Sequence, residues 1–343
     1  MITASCIIPV IGSVEGLETT LVSVLERRPA WCEIVLVLNT AYDDPYNLKD
    51  EIQILHADRR VGLVDCLNLG IQAASAPVVH FLQAGFEVDD QWIEQAVKHF
   101  ENPLVAAVTP ALYHAADRNS LYAVGVCATN RGQRAICQRQ ADAQRTEAVE
   151  PFFAPAGPLL QAAFYRKSIF TALGGIPTEV GDELADLDLA LLLRAAGWRL
   201  NVEINSRLFG PEIATARTNG FQSGLQAERF FWRHAGERGL VRSVLAHPRN
   251  ALAEMAHSGS IAKIPADLLG RMMAGCQFGS YRKYQQARLA LADEAEAIRT
   301  AQQAAYADSR EQTAHLRIDS AHQPTRSSER AAARSVGGSR ARR

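Results

Sequence analysis

Short apolar runs alternate with stretches whose apolar residues recur every three or four positions, and this alternation fills the first hundred residues. Residues 5–10 (SCIIPV), 33–37 (EIVLV) and 78–82 (VVHFL) have the length and the β-branched or aromatic content of buried strands. Residues 52–56 read as a weaker strand. Between them, Leu17, Leu21, Val24 and Leu25 share one helical face, with Ser13 as a candidate N-cap. Residues 60–74 open at Gly62 and continue as a helix with Leu67, Ile71 and Ala74 on its apolar side. A further helix through Phe100, capped by Asp89 or Asp90, turns Trp92, Ile93 and Val97 inward. Strands alternating with helices predict an α/β fold with a doubly wound, mostly parallel sheet.

Farther along, residues 105–109 read as a strand and 113–140 as β-like, with a hairpin turn at Asn130-Arg131-Gly132. Residues 141–153 are polar and read as a loop over the site. Residues 159–165 form a strand, and a short helix over 166–173 ends at Gly174-Gly175. Residues 199–203 form the last strand. Short helices follow over 226–234, 249–257 and 265–273, then a long, weakly amphipathic one over 285–307. Phe230, Phe231 and Trp232 read as packing residues. After Ser309 the chain turns Ser/Arg/Ala-rich and lacks large apolar groups, which predicts a basic tail without a fixed fold. The expected division is a sheet domain over 1–220, a helical region over 221–308 and a tail over 309–343.

Composition narrows the class without naming a function. Of 343 residues, 48% are hydrophobic and 21% charged, ordinary for a globular protein. The net charge of −1 supplies no global argument for nucleic acid or an anionic surface. Six scattered cysteines form no C-x-x-C pair, so neither zinc nor a disulfide framework is indicated. No stretch is long and apolar enough to span a bilayer. These features fit a cytoplasmic location, with peripheral attachment to a membrane as a variant.

Residues 78–92 (VVHFLQAGFEVDDQW) carry the most chemistry, because ligands of a parallel α/β sheet gather beyond the carboxyl ends of its strands. Gln83-Ala84-Gly85 would stand at that edge. The pattern resembles the family 2 glycosyltransferases, which have the GT-A fold and end this strand in Asp-x-Asp, binding a divalent metal and the diphosphate of a nucleotide-sugar. Pro9 and Val10 match the end of the family's first strand, beside the nucleotide base. Arg60, Gly62, Asn68 and Gly70 match its R-x-G and N-x-G pattern. Asn39 falls in its usual place, but Leu38 stands where the family has an Asp for the base or ribose. The resemblance thus implies a nucleotide-binding set of Pro9, Val10, Asn39, Arg60, Gly62, Asn68, Gln83 and Gly85. It also implies Mn or Mg as cofactor, yet both carboxylates are replaced, and no His follows Arg207-Leu208-Phe209-Gly210. No metal ligand is therefore expected. Glu87, Asp89 and Asp90 are nearby carboxylates that capping and exposure would explain.

Two later segments extend the resemblance. Arg166, Phe170, Gly174 and Gly175 fit a family segment that shapes the acceptor side of the cleft. In residues 183–198 (ELADLDLALLLRAAGW) the family's catalytic base falls on Asp186, with Ala185 replacing its usual Glu and Asp188 following toward the acceptor side. Such a base would deprotonate the acceptor hydroxyl. Alternatively, Asp186 and Asp188 only favour the positive end of a helix. The implied function is inverting sugar transfer from a nucleotide-sugar donor to a glycan or lipid acceptor. The alternative is a catalytically inactive relative acting as a binding or partner module for another protein. A dinucleotide-dependent enzyme is disfavoured, since no G-x-G-x-x-G follows the first strand.

Overall fold

The computed structural model describes residues 1–129, 133–137, 155–213, 220–236, 239–257 and 261–321. Its first half winds β1 (Ala4–Val10), α1 (Leu17–Arg27), β2 (Cys32–Leu38), β3 (Gln53–His56), α2 (Leu63–Ala73) and β4 (Val78–Leu82). A short β5 (Glu87–Val88), α3 (Trp92–Val97) and the long β6 (Val105–His114) follow, then β7 (Leu121–Ala123), β8 (Val126–Ala128) and β9 (Arg134–Ile136). Next come β10 (Ala162–Arg166), α4 (Lys167–Leu173), α5 (Ala185–Ala195) and β11 (Arg199–Gly210). The main sheet runs β3-β2-β1-β4-β10-β6-β11-β5, with β7 on the side of β6; β8 and β9 pair apart from it. Strands β3, β2, β1 and β4 are mutually parallel, as expected of residues 5–10, 33–37 and 78–82. β10 reverses direction between β4 and β6.

Every residue of β1 and β4 is buried, as in a parallel sheet covered on both faces. Helix α2 approaches β1 closely because Gly70 lacks a side chain; a β-carbon there would overlap Ile7. His80 is the one titratable group in β4. Its Nδ1 lies 3.1 Å from the Ala163 carbonyl, its ring stacks on Phe164 at 3.8 Å, and its Nε2 has no hydrogen-bond partner. Burial pushes its pKa down from 6.5 to about 3, so the ring is neutral in the folded protein. The unfolded chain binds this proton below about pH 6.5 and the folded one does not, so stability falls with falling pH from about 6.5 toward 3. Denaturant midpoints across that range should drop more steeply for the wild type than for His80→Leu. Parallel curves would mean that His80 takes up its proton without unfolding.

Three local expectations change. Ser13 does not cap α1: its hydroxyl accepts the Glu15 N–H, and Gly16 at φ 76° occupies the N-cap position. Gly16 is needed there, because its β-carbon would lie 2.7 Å from the Gly85 Cα. Neither Asp89 nor Asp90 caps α3, whose N-cap is Gln91 at φ 58°. Their carboxylates pair instead with Arg207 and Arg27, which explains them without a metal. The turn at 130–132 and the loop at 141–153 lie outside the described residues.

C-terminal to β11 stand α6 (Phe221–His234), α7 (Leu240–His257), α8 (Ile264–Gly275) and α9 (Phe278–Ala321). Phe231 stacks on His247 at 3.6 Å, and the Trp232 indole donates to Glu228, so these aromatics serve packing. Helices α6 and α8 touch backbone to backbone: a β-carbon on Gly224 would overlap the Asp267 carbonyl, and one on Gly270 the Phe221 carbonyl. The chain forms two compact units, 1–295 and 296–343, so α6 to α8 fall in the same unit as the sheet. Helix α9 continues to Ala321, beyond the expected break at Ser309; residues 322–343 lie outside the described ones. No described helix is long and apolar enough to cross a membrane.

Candidate active site

The loops at the carboxyl edge of β1, β2 and β4 are tied together by main-chain bonds. Ala84 N–H reaches the Pro9 carbonyl at 3.3 Å, and Asn39 N–H reaches that of Val10 at 3.2 Å. The Asn39 amide accepts from Gly12 N–H at 2.7 Å and donates to the Val61 carbonyl at 3.0 Å. It thereby joins the loops after β1 and before α2, keeping one N–H and one lone pair in reserve. Beside it Leu38 is buried among the strands. Gly85, at φ 102°, donates its N–H to Thr20 Oγ1 at 2.9 Å. An Asp at that φ would be strained by about 1–3 kcal/mol, so backbone geometry as well as sequence resists an Asp-x-Asp here. Pro9, Val10, Asn39, Gln83 and Gly85 thus share one edge.

Gly62 stands where α2 begins. The Asp182 carboxylate accepts the N–H groups of Leu63 (2.7 Å) and Val64 (3.1 Å), and a β-carbon on Gly62 would overlap that carboxylate. A helix N-terminus is a ready anion site, and here the chain's own carboxylate fills it. Asp182→Ala should cost about 1–2 kcal/mol in a denaturant titration, for the loss of a charged cap; an unchanged midpoint would show that the cap is not formed in solution. Arg60, two residues earlier, is exposed and directs its guanidinium to no protein partner among the described residues. Asn68 is structural: its amide both accepts from Ile176 N–H and donates to the Ile176 carbonyl, holding α2 against the turn after α4.

Asp186 is only 2% exposed at the start of α5, one turn beyond Asp182. Arg134 of β9 grips it through two nitrogens, Nε at 2.8 Å from Oδ1 and Nη2 at 2.6 Å from Oδ2. Burial alone would lower the Arg134 pKa, but the Asp186 charge outweighs it and the net shift is upward. Asp188, two residues on and so about 200° around the helix, points elsewhere. Its oxygens meet Arg233 at 2.6 Å and His234 at 2.9 Å, both from α6. Burial pushes the Asp188 carboxyl up; the His234 hydrogen bond and the Arg233 charge overcome this, so its pKa lies below the usual value.

Two acceptor-side expectations are therefore corrected. Asp188 is an internal anchor between α5 and α6. Arg166 lies opposite Val78, at the end of β4 away from Gln83, since β10 runs antiparallel to it. Its guanidinium donates to the carbonyls of Phe100, Asn102 and Val105. It therefore stands at the end of the sheet opposite Gln83, engaged by main-chain carbonyls. The sequence reading missed Arg134, Asp182 and Arg233, whose contacts span 45 to 119 residues and leave no spacing signal.

The donor set does not suit a divalent cation. Such ions favour carboxylate oxygens, whereas Gln83 offers a neutral amide and Gly85 only backbone. Where β11 ends, Pro211 packs 3.9 Å from a β-carbon built on Gly85. Among the described residues no three His, Cys, Asp or Glu side chains converge to hold a metal.

The topology and the edge geometry agree with one comparison in particular. Residues 5–170 match the family model described as glycosyl transferase family 2. That match spans just under half of the chain, so these residues resemble that family. Among solved structures, the chain is similar to a crystal structure of GalNAc-T7 with UDP, GalNAc and Mn2+, at a TM-score of 0.50 and 16% identity. That match covers 67% of this chain and 48% of the other, so the chain spans about half the length of that relative. A second structure is the mannosyltransferase PcManGT from Pyrobaculum calidifontis in complex with GDP-Man and Mn2+, at 0.46 and 18% identity, covering 86% of each chain. No curated protein matches. The chain thus shares the fold of that first glycosyltransferase structure.

Proposed function

We propose that the chain transfers a sugar from a nucleotide-sugar donor to a hydroxyl acceptor on a glycan or lipid, with inversion and with Asp186 as general base. What supports this reading is Asp186, a buried carboxylate at the start of α5, four residues after the Asp182 cap of α2 and at the base position that the sequence resemblance implies. Inverting transfer needs one carboxylate to take the acceptor proton as its oxygen attacks the anomeric carbon. In this reading one Asp186 oxygen must be released from Arg134 before it can accept a proton. The nucleotide would lie along Pro9, Val10, Asn39, Gln83 and Gly85, with the diphosphate charge met by Arg60 and backbone N–H groups rather than a carboxylate-held cation.

A second reading is a family 2 module that binds a ligand or a protein partner without transfer. It is favoured by the engagement of both Asp186 oxygens by Arg134 and by the Gln83 and Gly85 replacements. Incubation with UDP-, GDP- and TDP-sugars, with chromatography of the nucleotide product, separates the two. Release of nucleoside diphosphate supports the first; donor binding without release supports the second.

A further inference from the structure

Helix α8 carries its apolar residues on the wrong side for a helix that only packs. The face turned to α6 holds Asp267, Gly270, Arg271 and Ala274, all buried. Its polar members are satisfied there: Arg271 Nε lies 2.8 Å from the Asp267 carboxylate and its Nη1 3.6 Å from that of Glu228. The opposite face presents Leu268 (43% exposed), Leu269 (59%), Met272 (72%) and Met273 (50%), spaced i, i+1, i+4, i+5 as one stripe. Scattered apolar residues on a surface need no explanation, but a contiguous stripe marks something to be covered.

Charge says what covers it. Residues 221–292 contain ten Lys and Arg against four Asp and Glu, a net charge of +6, whereas residues 1–220 contain seventeen against twenty-six, a net charge of −9. The overall charge of −1 conceals this division. Between Lys263 and Ala292 the only acid is Asp267, buried and paired with Arg271. Lys263 at the start of α8, and Arg282 and Lys283 just after it, are exposed. Lys263, Arg282 and Lys283 are thus the stripe's near neighbours in sequence, and an apolar stripe with basic neighbours is the pattern of a helix lying in the interface of an anionic bilayer. A second copy of the chain would set these cations against each other across a twofold contact.

We propose that α8 docks on an anionic lipid surface, with Leu268, Leu269, Met272 and Met273 entering the headgroup boundary and Lys263, Arg282 and Lys283 contacting lipid charge. The inference does not rest on the transfer reading. It does fit an acceptor presented at a membrane.

The test is flotation of the full chain with phosphatidylcholine vesicles, with and without phosphatidylglycerol, alongside sedimentation velocity without lipid. The proteins are the wild type, a Leu268→Ser/Leu269→Ser/Met272→Ser/Met273→Ser variant and a Lys263→Glu/Arg282→Glu/Lys283→Glu variant. All these side chains are exposed, and unchanged circular dichroism confirms folding. The wild type should float with the anionic vesicles only, and less so at high salt. Each variant should bind at least about tenfold more weakly. Failure of the wild type to bind, equal binding to neutral vesicles, or equal binding by the charge variant would overturn the proposal. So would a wild-type dimer that the apolar variant turns into a monomer without any lipid binding, which would assign the face to a second copy. Because flotation is read without turnover, absent transferase activity leaves its result intact.

Discussion

Asp188→Ala should lower the unfolding free energy by about 3–5 kcal/mol, because it leaves the Arg233 guanidinium buried beside His234 with its principal counter-charge gone. The Arg233 side chain is 2% exposed and that of Asp188 1%, so water cannot replace the lost partner. Arg233 retains Glu179 at 3.0 Å, but that carboxylate is 45% exposed and is a weaker substitute. Replacing the whole cluster by apolar groups would cost less than removing one member, since the expense lies in the orphaned charge. The pH dependence has a definite sign. With its folded pKa depressed, Asp188 contributes stability that is present above the unfolded value, near 4, and lost as pH falls through the folded one. Urea titration at neutral pH checks the magnitude; a change under about 1 kcal/mol would mean that α6 does not dock on α5 through this pair.

Asp186→Asn should reduce transfer by about 10²- to 10⁴-fold while leaving donor affinity within a factor of about two. The amide keeps the shape of the carboxylate but cannot take the acceptor proton. A separated effect on turnover and binding is the signature of a base that acts on the acceptor. If Asp186 merely anchors β9 through Arg134, the substitution should instead lower stability and affect both quantities together. Retention of full activity would remove Asp186 from the mechanism altogether.

The parts of the fold legible in the sequence are those set by local pattern. Residues 5–10, 33–37 and 78–82 are almost wholly buried, so each reads as a short apolar run, and their parallel pairing follows from the alternation with helices. The Gly174 stop of α4 reads equally well, because its φ of 74° is one that glycine adopts without strain. The site was legible as a place rather than as a set of bonds. Pro9, Asn39, Gln83 and Gly85 stand at one edge, since each lies at or within three residues of the end of a parallel strand. Arg166 misled because a motif gives register along a strand but not the strand's direction. In an antiparallel β10 the same residue lies at the far end of the sheet. Arg134 was invisible for another reason: a guanidinium that meets a carboxylate 52 residues away leaves no trace in spacing. Helix α9 runs to Ala321 on a sequence of low hydrophobicity, because Ala, Gln, Arg and Glu are good helix formers.

The most direct test of a donor site without a carboxylate-held cation is calorimetric titration of the wild-type chain with UDP, GDP and TDP, once with manganese and once with EDTA. The account expects at least one nucleotide to bind, with affinities in the two conditions agreeing within about a factor of three, because Gln83 and Gly85 give the ion no anionic ligand. Binding that appears only with manganese would contradict it, as would no binding of any of the three.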